Sequence, residues 1–332
     1  MLAAQLIRGL LSYVPGIARV AKGGTGGTVC ARYCYSVWLR HLVRLHQAGC
    51  STPDVVAELG PGDSLGIGLA ALLSGATKYI SLDVVAHANV ARNLAILDAL
   101  VCLFEKAAPI PAGDEFPEIR PPLQDYSFPS RLLSPGRLKV LLEGTRVEAI
   151  RASLRQGSAA AGMVQYRAPW TDQQVIERET VDMIFSQAVL EHVDSVAQVY
   201  CAMHTWLKPG GIMSHQIDFR SHGTAREWNG HWAHSDLLWK LIRGRRPYLL
   251  NREPHSRHLR LIQDAGFEII CDLPSCSHSP LTLDDLAPRF RALEPSDLTT
   301  SGAFIQALKP RTPAPRGSRI TRPSTGTATQ TL

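Results

Sequence analysis

The stretch Val55-Val-Ala-Glu58-Leu-Gly60-Pro61-Gly62-Asp63-Ser64-Leu-Gly66-Ile-Gly68 runs from one apolar segment through a glycine-rich turn into another. The first segment predicts a strand over residues 54–59, and the second predicts a helix over residues 64–74. Gly60 and Gly62 allow a tight turn that a ligand can approach closely. Asp63 or Ser64 can cap the helix, whose free N–H groups face the turn. The stretch therefore predicts a strand–turn–helix unit that binds a ligand.

The next predicted strand, over residues 78–84, ends with a carboxylate that indicates what the ligand is. Asp83 follows Gly62 after 21 residues (83 − 62) and is followed by Val84. At that place a carboxylate reaches the two hydroxyls of a ribose bound across the first strand. We therefore expect a cofactor that contains a nucleoside, either a nicotinamide dinucleotide or S-adenosylmethionine.

Three features favour S-adenosylmethionine. Glu58 stands two residues before Gly60, where a carboxylate can help to hold a cationic aminoacyl end. The glycine spacing is Gly-x-Gly-x-x-x-Gly, which differs from the Gly-x-Gly-x-x-Gly of a pyrophosphate cradle. Finally, residues 181–193 read VDMIFSQAVLEHV, and residues 206–213 read WLKPGGIM.

Outside this region the same alternation of apolar segments continues. Further strands are predicted at residues 163–166, 181–186, 211–217, 267–272 and 303–308. Further helices are predicted at residues 87–106, 138–155, 193–207, 235–243 and 256–265. Strands that alternate with helices predict an α/β fold with a doubly wound, mostly parallel sheet of seven strands.

Three segments lie outside this pattern. Residues 1–50 predict an N-terminal helical extension, with an amphipathic leader and a helix over residues 31–48. Residues 107–137 contain seven prolines and predict an insertion that crosses the surface of the main domain, residues 51–309. Residues 310–332 carry four arginines and no acidic residue, and we expect a disordered, dispensable basic tail.

Composition excludes several classes of protein. Of the 332 residues, 45% are hydrophobic and 19% are charged, as in ordinary globular proteins. Four of the +6 net charges fall in the tail, so the remaining +2 does not favour a nucleic-acid partner. Seven scattered cysteines match no zinc spacing and indicate a reducing compartment. No apolar run has the length of a membrane span, and we expect a cytoplasmic protein.

The motifs together resemble the signature segments of class I S-adenosylmethionine-dependent methyltransferases. The resemblance covers residues 54–217. Within this family, the segments most resemble the small-molecule branch that has a "VLEHV" segment after the fourth strand. It implies a Rossmann-like methyltransferase fold and S-adenosylmethionine as cofactor. One departure is Ser64, which stands where the family usually has its third glycine. The cofactor-binding residues expected from the motifs and the resemblance are Glu58, Gly60, Pro61, Gly62, Asp63, Asp83, Val84 and Gln187.

The catalytic candidates follow the fourth and fifth predicted strands. His192 can remove the proton of an acceptor near neutral pH, and His215 and Asp218 are rivals for this role. The candidates for the adenine side of the cofactor are Ala168, Pro169 and Trp170, after the third strand. The histidines show no chelating pattern, and we expect no metal site.

The interpretation is methyl transfer to a small-molecule or glycan-linked acceptor, most simply at a hydroxyl. Residues 186–189 read SQAV and not the Asn-Pro-Pro-Tyr type used on amides and exocyclic amines, so nucleic acid is not expected as a substrate. The alternatives are a nicotinamide-dependent oxidoreductase and a non-catalytic scaffold with the same fold. No hydride-handling arrangement is evident for the first, and the oligomeric state stays open.

Overall fold

The computed structural model describes residues 2–14, 27–157, 162–170, 172–246 and 248–311. One seven-stranded sheet organises them, with the order β3-β2-β1-β4-β5-β7-β6. The strands are β1 (Val55–Leu59), β2 (Lys78–Leu82), β3 (Val164–Arg167), β4 (Val181–Gln187), β5 (Leu207–Asp218), β6 (Glu268–Cys276) and β7 (Thr300–Leu308). The helices are α1 (Leu2–Leu11), α2 (Ala31–Gln47), α3 (Gly66–Leu73), α4 (Val90–Glu105), α5 (Pro135–Leu141), α6 (Gly144–Gln156), α7 (Val196–Trp206), α8 (Asp236–Arg243) and α9 (His255–Asp264).

The sheet confirms the predicted α/β fold. Strands β1 to β5 pair in parallel, whereas β7 pairs antiparallel with both β5 and β6. All seven strands were predicted from sequence, with ends that shift by a few residues. Strand β5 begins four residues early, at Leu207, because Leu207 already pairs with Val181 of β4, and the Lys-Pro-Gly-Gly turn falls in the register irregularity before the pair Met183–Ile212.

The helices cover both faces of the sheet. Buried side chains of α2, α3 and α4 form one apolar core, and those of α7 and α9 form part of another on the opposite face. The single helix predicted over residues 138–155 is two helices. Ser134 caps the first through the backbone N–H of Arg137, and the second begins at Gly144.

The two helices of the N-terminal segment have different surroundings. Trp38 of α2 is fully buried and packs against Phe185 of β4, with ring centroids 5.5 Å apart. Helix α1 instead packs against α8, far along the chain. The helix α2 therefore belongs to the main core, and the boundary at residue 50 stays a proposal.

The proline-rich insertion is anchored by one buried arginine. Arg40, which is 1% exposed, donates hydrogen bonds to the carbonyl oxygens of Pro111, Ile119 and Pro121 at 3.0, 3.2 and 2.7 Å. A guanidinium has five N–H donors in a fixed arrangement, so it can bind several carbonyls that no regular element satisfies. Of the predicted tail, residues 312–332 lie outside the described residues.

None of the helices in the described parts of the chain is long and apolar enough to cross a bilayer.

Candidate active site

A cavity of about 660 Å³ opens at the carboxyl ends of β1, β2 and β4. This is the edge of an open parallel sheet where ligands bind. Its apolar lining comes chiefly from Leu59, Ile67, Leu82, Val84, Val85, Trp170, Val189, Val193, Val199 and Ala202. Its polar lining includes Thr28, Tyr33, Asp83, His87, Gln187, His192, Asp194, Ser195, Gln198 and Tyr248.

The glycine-rich turn forms the floor of the cavity. Gly60 and Gly62 have φ angles of 63° and 71°, a region that favours glycine. A Cβ atom at Gly60 would lie 2.7 Å from Cγ2 of Val189, so a side chain there would also collide with the segment after β4. The backbone of the turn, including Pro61, therefore faces the cavity without side chains in the way.

Asp83 lies on the cavity wall next to the turn. The carboxylate is 7% exposed, and its Oδ1 accepts the backbone N–H groups of Val84 and Val85 at 2.7 and 3.3 Å. Burial raises the pKa of Asp83, although these backbone hydrogen bonds oppose the shift. The hydrogen bonds fix the carboxylate in one orientation, as a ribose-binding group requires.

Six of the eight residues predicted to bind the cofactor line this cavity. They are Gly60, Pro61, Gly62, Asp83, Val84 and Gln187. Of the three candidates for the adenine side, Trp170 lines the cavity, and Ala168 and Pro169 do not. The backbone N–H of Trp170 donates to the carbonyl of Asp83 at 2.7 Å.

Glu58 does not line the cavity, which corrects the expectation that its side chain contacts the cofactor. The carboxyl group is 1% exposed and accepts a hydrogen bond from the hydroxyl of Tyr79. Burial raises the pKa of Glu58 to about 8, so the group is protonated at neutral pH. It is an internal group beneath the turn, since Tyr79 in turn packs against Gly68 of α3.

Asp63 does not line the cavity either, so the structure does not place it on the cofactor. Its backbone N–H donates to Oγ1 of Thr28 at 3.1 Å, and its carbonyl accepts from Arg92 at 2.9 Å. Asp63 therefore joins the turn to the segment before α2 and to helix α4.

Among the three catalytic candidates, only His192 lies on the cavity. It ends a short 3₁₀ turn after β4, and its ring lies 5.1 Å from that of His222, centroid to centroid. Burial, together with the nearby His222, lowers the pKa of His192. The sequence predicts that His192 titrates near neutral pH, whereas its surroundings in the structure lower its pKa. His192 is therefore a neutral imidazole at pH 7, able to accept a proton.

His215 is wrong as a catalytic candidate because it lies inside the protein. The ring is 0% exposed, and its Nδ1 lies 2.8 Å from Oγ of Ser186. Burial lowers the pKa of His215 to about 3. The position in β5 was correct, but the side chain points into the core and not toward the cavity.

Asp218 does not line the cavity either. Its carboxylate forms a two-pronged ion pair with Arg220 and lies 3.2 Å from Nε2 of His222. Although burial opposes it, hydrogen bonds from His222 and Arg220 hold the pKa of Asp218 far below its usual range. A carboxylate held so firmly in its ionised form is a poor proton acceptor.

A cluster that the sequence did not reveal lies behind His192. Glu191, His192 and His222 each place a possible metal-ligand atom within 4.8 Å of the others. Glu191 is 3% exposed, and burial raises its pKa well above the usual value. These three side chains could hold a metal ion, so the expectation of no metal site is not supported by the geometry.

Sequence reasoning also missed the segment just before α2. Thr28 and Tyr33 line the cavity, and the hydroxyl of Ser64 donates to the carbonyl of Thr28. Ser64 also accepts the backbone N–H of Gly66 at 3.1 Å. The departure from the usual third glycine therefore has a structural reason. Ser64 joins the turn to the segment that covers it. The one sign of this contact in the sequence is a serine at the position of the usual glycine.

Comparison with known proteins gives a match to one protein family. Residues 142–214 match the family model described as a methyltransferase domain, and no curated protein matches the chain. This segment contains β3, β4, α7 and the first part of β5.

Several solved structures are similar to the chain at low identity. An S-adenosylmethionine-dependent methyltransferase from Mesorhizobium loti is 14% identical, with 82% of this chain and 97% of that chain covered and a TM-score of 0.40. One from Methanosarcina mazei is 11% identical, with 80% and 97% covered and a TM-score of 0.41. Phosphoethanolamine N-methyltransferase 2 from Haemonchus contortus is 14% identical, with 82% and 53% covered and a TM-score of 0.40. Similarities this weak say nothing about the acceptor.

The family match, the strand order with antiparallel β7 and the glycine-rich turn at the cavity agree with one another. Residues 142–214 are thus identified as a methyltransferase domain, as the sequence motifs predicted. A methyltransferase domain agrees with S-adenosylmethionine, the cofactor that Glu58, the glycine spacing and the later motifs favoured. The match favours methyl transfer over the nicotinamide-dependent oxidoreductase alternative.

Proposed function

We propose that the protein transfers the methyl group of S-adenosylmethionine to a hydroxyl of a small-molecule or glycan-linked acceptor. One observation carries the proposal: Asp83 and His192 line the same cavity, on the walls formed by β2 and by the segment after β4. A ribose ligand and a proton acceptor thus share one cavity of about 660 Å³.

The cofactor fits the residues that form the first wall. The fixed carboxylate of Asp83 would accept hydrogen bonds from the ribose hydroxyls, and the turn from Gly60 to Gly62 would leave room for the aminoacyl part beside its backbone. Trp170 and Val84 provide apolar surface beside Asp83 for the adenine ring. When bound, S-adenosylmethionine supplies an electrophilic methyl group on a positively charged sulfur.

His192 provides the base on the second wall. The acceptor oxygen forms a bond to the methyl carbon as the carbon–sulfur bond breaks, and the hydroxyl proton moves to the imidazole. The sulfonium charge is lost in this step, so the protein needs to align the partners, exclude water and accept one proton. The apolar lining around Val189, Val193 and Val199 serves the second task.

The acceptor class follows from what surrounds the proposed base. Gln187, Gln198 and Tyr248 offer hydrogen bonds suited to a polyhydroxylated or phenolic molecule. No nucleic-acid substrate is proposed, since the segment after β4 reads Ala188-Val189 where amide and amine methylation use an Asn-Pro-Pro-Tyr type.

Thermal unfolding with ligands, followed by an acceptor screen, tests the proposal. S-adenosylmethionine and S-adenosylhomocysteine should raise the melting temperature and nicotinamide dinucleotides should not, because only a ligand that binds the native state stabilises it. A panel of sugars, phenols, hydroxy acids and amines is then assayed for release of S-adenosylhomocysteine. Turnover restricted to amines would overturn the hydroxyl assignment.

A further inference from the structure

Helix α1 buries Gln5 and Gly9 and packs Leu6 on the core of α8, but leaves most of its large apolar side chains exposed. Gln5 is 6% exposed; its Nε2 donates to the carbonyl of Gly223 at 2.7 Å, and its Oε1 accepts from Arg246 at 3.1 Å. Ile7, Leu10 and Leu11, on the opposite side, are 56%, 58% and 42% exposed. Helices of globular proteins normally bury their apolar stripe, so this one has an unusual outer surface.

Helix α8 extends the same surface. It buries Trp239 and Ile242, while Leu237 and Leu241, four residues apart, are 71% and 44% exposed. The two helices are in direct contact, because a Cβ atom at Gly9 would lie 1.9 Å from the carbonyl oxygen of Leu241. We call the exposed side chains of Ile7, Leu10, Leu11, Leu237 and Leu241 the α1–α8 face.

Exposed apolar side chains are concentrated at this face. Nine of the fourteen large exposed hydrophobic residues in the described part of the chain belong to α1, α8 or the residues that follow them. They are Leu2, Ile7, Leu10, Leu11, Tyr13, Val14, Leu237, Leu241 and Tyr248. Exposed apolar side chains concentrated on two helices in contact indicate an interaction surface.

The charges around the face are basic. Residues 2–14 and 236–246 contain five Lys or Arg residues and one acidic residue, Asp236, which is already paired with Arg252 and Arg289. Arg243 is paired with Asp194, and the guanidinium of Arg245 lies over the ring of Tyr13. Arg8, Lys240 and Arg245 have no ion pair within the described residues. A second copy of the face would bring like charges together, whereas an anionic surface would neutralise them.

We propose that the α1–α8 face docks on an anionic lipid membrane. The two helices lie in the plane of the interface, with their leucines among the lipid chains and their arginines and lysine at the headgroups. Tyr248, which follows α8, is 44% exposed and also lines the cavity. The rim of the cavity therefore lies beside the membrane surface.

Flotation of the full chain with lipid vesicles tests the proposal without any measurement of activity. The chain should bind phosphatidylcholine vesicles that contain phosphatidylglycerol, and should bind phosphatidylcholine alone at least about tenfold more weakly, with each basic side chain worth about fivefold. Raised salt should weaken the binding. The double variant Leu10→Glu/Leu237→Glu should reduce binding at least about tenfold, because both changes place charge among lipid chains.

Val140→Glu is the matched control, since Val140 is 66% exposed on α5, away from the face. It should bind like the wild type. A second variant, Lys240→Ser/Arg245→Ser, keeps the test valid if the glutamates disturb folding, and it should weaken binding to the anionic vesicles about 25-fold. Absence of wild-type binding, or equal binding by the leucine variant, would overturn the proposal. The proposal would also be overturned if the wild type sediments as a dimer and binds no vesicles, and if Leu10→Glu/Leu237→Glu dissociates that dimer.

Discussion

At the scale of single residues, His192 carries the proposed chemistry. His192→Gln keeps a similar size and a hydrogen-bonding group but removes the basic nitrogen. We predict unchanged cofactor affinity and a turnover lowered roughly 10²–10⁴-fold, the range that positioned acid–base groups supply. His278→Gln, an exposed histidine outside the cavity, is the control and should turn over normally.

The pH dependence of the rate is a second test of the role of His192. Burial and the neighbouring His222 lower the pKa of His192, and the neutral form is the base. The rate should therefore rise with pH through a value below the ordinary 6.5. Loss of the rate on treatment with a chelator would contradict this role, since Glu191, His192 and His222 would then be holding a required cation.

Glu58 provides a prediction about stability. Its pKa is about 8 in the folded state against 4.5 as its ordinary value, so between these pH values the folded form binds the extra proton. The free energy of unfolding must then fall as pH rises through this window. Glu58→Gln should remove this dependence. The melting temperature of the variant minus that of the wild type should therefore be larger at pH 8 than at pH 5. An equal difference at both pH values would mean that Glu58 is ionised in the fold.

At the scale of elements, the segment before α2 depends on Ser64. Ser64→Ala leaves the buried carbonyl of Thr28 and the N–H of Gly66 without this partner, at a cost of about 1–3 kcal/mol. We predict faster hydrogen exchange over residues 27–34 and weaker cofactor binding, because Thr28 and Tyr33 line the cavity. Ser130→Ala, at an exposed position in the insertion, should change neither. Unchanged exchange would show that the segment is held elsewhere.

Elements were predictable from sequence where one pattern decides them. All seven strands and the turn at Gly60 and Gly62 follow from hydrophobic alternation and glycine placement. The direction in which a side chain points inside an element was not predictable. His215 in β5 was expected at the cavity and is buried beside Ser186, because strand periodicity alone does not say which face meets a ligand.

At the scale of the whole molecule, contacts between distant parts of the chain escaped prediction. Arg40 binds the carbonyls of the insertion about 80 residues later, and Gln5 reaches Gly223 across 218 residues. The pairing of α1 with α8 likewise depends on two glycines, Gly9 and Gly244, that no local pattern connects. Sequence patterns describe local structure, whereas these contacts depend on tertiary packing.

The central claim is that S-adenosylmethionine binds over Gly60, Gly62 and Asp83. Calorimetric titration of the cofactor onto the wild type, Asp83→Ala and the exposed control Asp114→Ala tests it most directly. The ribose hydrogen bonds to a carboxylate are worth about 1.5–3 kcal/mol, so the affinity of Asp83→Ala should fall at least about tenfold. Asp114→Ala should bind like the wild type. Unchanged affinity in Asp83→Ala, with its melting temperature intact, would remove Asp83 from the site and contradict the account.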